Sequence, residues 1–220
     1  MKTLIIDPNQ PDPATIESTA TYLKLGKVVA HPTDTLYGLA VHIGIARAVQ
    51  RIFEIKHRDV QAALPILIDE PAQIHPFIDA IPDAAQVLMD TFWPGPLTIV
   101  FPASEDVDPV LIGFGQRIGF RLPDHALSRR LIRAAGTPIT STSVNISDNP
   151  PAVSPAEMDP KILQQVDCLL DGGPASGAIS STVIDISVTP AQIIREGAVS
   201  YADLAARIPV EEPVHDARPT

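Results

Sequence analysis

Cysteine is almost missing from this chain: among 220 residues there is one, Cys168. A single thiol allows neither an internal disulfide nor a cysteine-rich zinc site. Aromatic residues make up only 5% and charged ones only 19%. Basic side chains are the scarcer sign, 16 Lys and Arg against 26 Asp and Glu, for a formal net charge of −10. That balance argues against a broad, sequence-independent grip on nucleic acid, which needs excess Lys and Arg. It leaves room for a small basic pocket, because local field and net charge are different quantities. No apolar run is long enough to span a membrane, and Met1–Asp7 lacks the apolar core of a signal peptide. A soluble, cytoplasmic chain is the expectation.

Several familiar signatures are missing as well. There is no Gly-x4-Gly-Lys-Ser/Thr loop and no Gly-x-Ser-x-Gly elbow. Gly113-Phe114-Gly115 leads into a predicted strand rather than a helix, so it is no dinucleotide fingerprint. The six histidines do not pair at metal-ligand spacing. Asp124-His125 is a poor dyad, since adjacent residues diverge on a helix, and Asp124 reads better as a helix cap.

What is present is apolar material, 45% of the residues, enough for one sizeable core. Strands are predicted at 3–6, 28–31, 64–68, 97–101, 117–122, 138–141, 167–171, 182–186 and 192–195. Helices are predicted at 14–25, 45–55, within 71–92, at 124–135, and over 201–206. Gly26 and Gly136 fall where the first and fourth of these should stop. Residues 142–155 read as a long polar loop. Alternating strands and helices followed by clustered strands predict an α/β fold, a twisted mixed sheet with flanking helices. The expected division is a domain over 1–207 and an acidic, proline-containing tail over 208–220.

Four stretches carry candidate chemistry. His31-Pro32-Thr33-Asp34-Thr35-Leu36-Tyr37-Gly38-Leu39-Ala40 follows an apolar strand and packs three hydroxyls and a carboxylate into five residues. Such a loop can face a ligand, although Thr33, Asp34 and Thr35 also suit an ordinary strand-to-helix turn. Lys56 and Arg58 alternate after a helix, so an extended backbone would point both cations at one anion; a solvated helix C-terminus is the plainer reading. Ser141, Ser143, Asn145 and Ser147 also alternate, a row of neutral donors suited to phosphate or ribose, or simply a polar loop. Arg117, Arg121 and Arg195 sit at the ends of predicted core strands, where each must reach solvent or an anion.

Taken in order, these stretches resemble the YrdC-like family, the threonylcarbamoyl-AMP synthases. The resemblance runs from about Gly26 to Gly197 through His31–Leu39, Lys56-His57-Arg58, Trp93-Pro94-Gly95-Pro96-Leu97-Thr98, Gly119–Pro123, Ser143-Val144-Asn145, Ser181–Asp185 and Ile194–Gly197. It implies a sheet curled around a deep, positively charged cavity. It implies a nucleotidyltransferase that condenses L-threonine, bicarbonate and ATP into threonylcarbamoyl-AMP and pyrophosphate, with Mg2+ on the ATP and no metal held by protein side chains. The product would pass to separate threonylcarbamoyl-transfer proteins and so, indirectly, to adenosine 37 of tRNA. By position, Thr35, Arg121, Ser141 and Ser181 would hold L-threonine, with Arg121 as the fork for its carboxylate. Lys56, Arg58, Ser143, Asn145 and Arg195 would surround the ATP phosphates, with the backbone at Arg117 near the nucleotide. Of these, Lys56, Arg58, Ser143 and Asn145 would carry the chemistry.

Three departures bear on that reading. Family members usually have Pro after the Lys-His-Arg triplet, then Asn and His contacts; this chain has Asp59, Ala62 and Leu67. Ser147-Asp148 stands where Ser-Gly is usual. The extra C-terminal domain of a longer subgroup is not expected here, which points to the short form. The competing expectations are a paralogue that binds a nucleotide without this synthesis, an RNA-binding module, and an interaction subunit with a vestigial cavity.

Overall fold

A computed structural model describes residues 1–59, 63–145 and 152–212. In chain order the elements are β1 (Lys2–Ile5), α1 (Pro13–Lys24), β2 (Val29–Pro32), β3 (Tyr37–Ala40), α2 (Ala46–Lys56), β4 (Ile66–Leu67), α3 (Asp83–Phe92), β5 (Leu97–Pro102) and β6 (Arg117–Arg121). Then follow α4 (Ala126–Ala135), β7 (Ile139–Thr140), β8 (Thr142–Ser143), α5 (Pro160–Leu163), β9 (Cys168–Asp171), β10 (Thr182–Asp185), β11 (Gln192–Arg195) and α6 (Tyr201–Ala205). Short 3-10 turns at Pro71–Phe77, Pro109–Leu111 and Pro155–Glu157 fill connections.

The expected mixed α/β architecture is present, but the strands divide between two sheets. One runs β1-β9-β2-β3-β8 and the other β11-β10-β5-β6-β4-β7, each mixing parallel and antiparallel pairs. The central strands of the second sheet show a period-two pattern. Ile99 and Phe101 on β5 and Ile118 and Phe120 on β6 are fully buried in the main core, while Thr98, Val100, Arg117 and Arg121 turn to the other face. A second core, with Ile16, Ala20 and Leu23 of α1 and Leu127, Leu131 and Ile132 of α4, covers the first sheet.

Local chemistry sets the helix ends. The Asp12 carboxylate accepts from the Thr15 N–H at 2.9 Å and Pro13 opens α1. Gly136 closes α4 at φ 75°, a left-handed position a side chain would strain. The cap of α4 is His125, not Asp124: the His125 ring accepts from the Ser128 N–H at 3.3 Å. Asp124 instead offers its backbone N–H to the Asp34 carboxylate at 3.3 Å.

Three further expectations are corrected. The stretch after Pro32 is a hairpin rather than a strand-to-helix loop, with His31 opposite Gly38 and Pro32 opposite Tyr37. Tyr37 and Leu39 are buried completely, and that burial holds the second strand down. The long loop expected from Thr142 begins instead as β8, paired with β3 through Gly38–Ser143 and Leu39–Thr142; Ser147 and Asp148 lie outside the described residues. The expected tail starts packed: Ile208 belongs to the main core, and the Glu211 N–H donates to the Ala191 carbonyl at 2.8 Å. Residues 213–220 lie outside the described ones.

Candidate functional site: a cationic cavity between two sheets

The chain leaves one sheet at Thr140 and enters the other at Thr142, which makes Ser141 the corner between them. The approach there is close. A Cβ on Gly38 would lie 2.2 Å from Ser141 Oγ, so glycine lets the hairpin strand pass this hydroxyl without a clash. Behind the corner the sheets enclose a cavity of about 710 Å³. The first sheet and its turn contribute Thr33, Thr35, Gly38 and Ser143, and the second contributes Leu67, Thr98, Val100, Arg117, Arg121, Val183 and Arg195. Arg58, Ser141, Asn145 and Ser181 complete the polar wall.

Arg121, almost wholly buried, is the most constrained of the cations. Its Nε donates to the Gly95 carbonyl at 3.0 Å, one terminal nitrogen to Thr35 Oγ1 at 3.0 Å, and the other to the Asp34 carboxylate. A guanidinium has five N–H donors, so both terminal nitrogens keep one hydrogen for a ligand. The turn explains the fit. Thr33 Oγ1 spends its proton on the Leu36 carbonyl at 2.7 Å, so the Thr35 hydroxyl donates to Thr33 and presents its lone pair to Arg121.

At the other strand ends, Arg117 pairs with the buried Asp185 carboxylate at 2.9 Å. Arg195 donates to the Ser181 carbonyl at 2.8 Å and to its hydroxyl at 3.2 Å, and Thr98 meets that same hydroxyl at 3.1 Å. Among the described residues no ion pair joins Arg195 to a carboxylate. Burial first, then the positive charges of Arg58 and Arg121, lowers its pKa. Burial likewise lowers Arg58. A buried cation held near two other positive charges in this way marks a place where an anion is stabilised.

Lys56 is placed differently from the expected extended pair. It is the last residue of α2 and 2% exposed, and the left-handed His57 (φ 50°) turns the chain before Arg58. Its ammonium donates to the Ser143 carbonyl at 2.7 Å, the Asn145 carbonyl at 2.7 Å and Asn145 Oδ1 at 3.1 Å. Lys56 therefore stands behind the wall and holds Ser143 and Asn145 in it, whereas Arg58 lines the cavity itself. Burial, with the Arg58 charge second, pulls the Lys56 pKa down to about 8.

The structure thus gathers Thr35, Arg58, Arg117, Arg121, Ser141, Ser143, Asn145, Ser181 and Arg195 around one space, with Lys56 just behind them. Leu67 lies on the wall, Asp59 follows Arg58, and Ala62 is outside the described residues. Sequence reasoning missed three participants. Asp34 passed for a turn residue, Thr98 for an ordinary strand residue, and Phe114 for part of a failed glycine motif. Only for Thr98 was there a usable signal, its place on the polar side of an alternating strand.

These features define a mixed α/β protein whose two sheets converge on a hydroxyl-lined, arginine-rich cavity. The chain belongs to the Sua5/YciO/YrdC family, whose model, described as telomere recombination, matches residues 21–197. It is 35% identical over 189 residues to the threonylcarbamoyl-AMP synthase of Pyrococcus abyssi, covering 86% of this chain and 56% of that one. The chain thus spans little more than half the length of curated relatives such as this. Among solved structures, P. abyssi Sua5 complexed with L-threonine superposes with a TM-score of 0.87 at 31% identity, over 96% of this chain and 63% of that chain. E. coli YciO superposes with a TM-score of 0.82 at 25% identity, over 90% of this chain and 97% of that one. No helix among the described residues is long and apolar enough to cross a membrane.

Proposed function

We propose that the cavity condenses L-threonine, bicarbonate or CO2, and ATP into threonylcarbamoyl-AMP and pyrophosphate, the step that precedes threonylcarbamoyl transfer to adenosine 37 of tRNA. The observation that carries this reading is the convergence of two unlike polar groups in one space: the Arg121–Thr35 turn, and Arg58, Arg195, Ser143 and Asn145. The first suits the carboxylate and hydroxyl of an amino acid, the second a polyphosphate. P. abyssi Sua5, a relative whose structure is complexed with L-threonine, supports the first assignment.

In this scheme the free hydrogens of the Arg121 guanidinium hold the threonine carboxylate, with Ser141 and Ser181 beside it. The threonine amine adds to CO2 to form a carbamate and releases a proton. A carbamate oxygen then attacks the α-phosphorus, the Pα–O–Pβ bond breaks, and pyrophosphate leaves with its charge held by Arg58 and Arg195. Such a reaction needs positioning and charge stabilisation rather than a covalent enzyme intermediate. Asp34 and Asp185 are already turned to arginines, and Asn145 Oδ1 already accepts from Lys56 and Ser143, so Mg2+ would ride on the nucleotide phosphates rather than on protein side chains. Mg2+ would supply charge neutralisation on the phosphates. Separate transfer proteins in the cytoplasm would receive the product, with tRNA an indirect partner.

One observation favours a second reading. Leu67 puts an aliphatic wall where the family's pattern has a histidine touching threonine, so a paralogue that binds the nucleotide and takes another amine remains in competition. Pyrophosphate release from ATP separates the two. The synthase reading expects release only with both L-threonine and bicarbonate, and its loss in Arg58→Ala; ATP binding without threonine-dependent release would select the paralogue.

A further inference from the structure

Large apolar side chains at high exposure are few among the described residues, and only two of them, Phe114 and Ile194, stand on the cavity wall. Phe114 is 75% exposed and Ile194 59%. Neither position is an accident of a loose segment. The Gly113 N–H donates to the Arg117 carbonyl at 2.8 Å, closing a tight loop onto the start of β6. Inside that loop Gly115 (φ 74°) and Gln116 (φ 58°) are both left-handed, so the backbone is turned to hold the phenyl ring out. The same ring forms part of a second, shallower depression against α2 that also takes in Phe53, Gln50 and Gln116. Phe114 is therefore a ridge between two concavities, beside Arg117.

An aromatic face presented to solvent next to an arginine-rich cavity has one ligand chemistry that suits both: a flat heteroaromatic ring attached to phosphates. We propose that Phe114 is the stacking platform for the purine of the nucleotide, with Ile194 as the aliphatic contact on the same rim, and so sets selectivity for a base rather than for phosphate alone. The inference rests on the nucleotide reading of the cavity and adds the residue that recognises its non-phosphate end. Stacking tolerates any purine, so Phe114 would give affinity for the base, while the neutral amides of Gln50 and Gln116 lie within the adjoining depression to discriminate between purine edges.

The test is calorimetric binding of ATP and of inorganic tripolyphosphate to the wild type, Phe114→Ala and Phe114→Trp. Loss of a stacked base contact should weaken ATP by about five- to a hundred-fold in Phe114→Ala, with Phe114→Trp restoring it. Tripolyphosphate affinity should be the same in all three proteins, which also shows that the variants are folded and their phosphate site intact. In Phe114→Trp, ATP should quench the new indole and tripolyphosphate should not. Equal ATP affinity in the wild type and Phe114→Ala overturns the proposal while leaving the nucleotide reading standing. A wild type that binds neither ATP nor tripolyphosphate overturns both.

Discussion

Arg121 and Asp34, 87 residues apart in sequence, form an ion pair with side chains only 7% and 11% exposed. The pair fixes the guanidinium against the turn that Thr33 and Thr35 build, and aims its remaining hydrogens at the cavity. Removing one partner of a buried pair leaves an uncompensated charge, at about 3–5 kcal/mol. Asp34→Ala should therefore lose stability on that scale in urea unfolding. Arg121→Met combined with Asp34→Ala should lose less than the sum of the two single changes. Strict additivity would mean that the two side chains are not coupled.

Lys56 makes a different prediction from the one its position beside Arg58 invites. Because its ammonium ties Ser143 and Asn145 to the end of α2, Lys56→Met should cost about 1–3 kcal/mol of stability as well as activity, by leaving those carbonyls without their donor. Its pH dependence has a definite sign. The folded-state pKa, about 8, lies below the ordinary 10.5. The unfolded chain therefore holds more protons between those values, and this group's contribution to stability rises with pH across that window, being lost as pH falls through about 8. ATP affinity should move the other way, since only the ammonium attracts phosphate. It should be full below about 8, decline above it, and lose that step in Lys56→Met.

How much of this could be read from the sequence depends on the range of each interaction. Strand alternation exposed the sides of β5 and β6, and Gly136 marked the end of α4, because both signals are local. The clustering of Arg117, Arg121 and Arg195 at strand ends was legible for the same reason. Asp34 was not, because its partner is fixed only once β6 lies beside the hairpin. Lys56 misled because an i, i+2 pair reads as extended, while His57 adopts a left-handed conformation that few side chains take. The split into two sheets at Ser141 has no local signature at all. It follows from Thr140 and Thr142 pairing with different neighbours on either side of one residue.

That corner gives a steric prediction. Gly38→Ala places its new methyl 2.2 Å from Ser141 Oγ but 3.4 Å from Ser141 Cβ. The clash is with the hydroxyl, so overpacking of about 1–3 kcal/mol is expected in the single variant. Most of that stability should return in Gly38→Ala with Ser141→Ala. Thermal unfolding of the two single variants and the double one measures the coupling. If the double variant is no better than Gly38→Ala, the backbone rather than the hydroxyl limits the approach of the sheets.

His31, wholly buried on β2, links this corner to acid stability. Its Nδ1 lies 3.1 Å from the Pro32 carbonyl, while Nε2 is buried in the region of Gly38 and Ser141 with no hydrogen-bond partner among the described residues. Burial, with the charge of His125 second, pushes its pKa down to about 4 from the usual 6.5. The unfolded chain thus takes up a proton that the folded one refuses. The stability that His31 confers is full above 6.5 and is lost as pH falls through about 4. His31→Asn removes the titration and leaves an amide near the Pro32 carbonyl. Its unfolding free energy should fall less steeply than that of the wild type between 6.5 and about 4, the carboxylates contributing equally to both. Parallel pH profiles for the two proteins would show that His31 takes up its proton as readily in the folded chain as in the unfolded one.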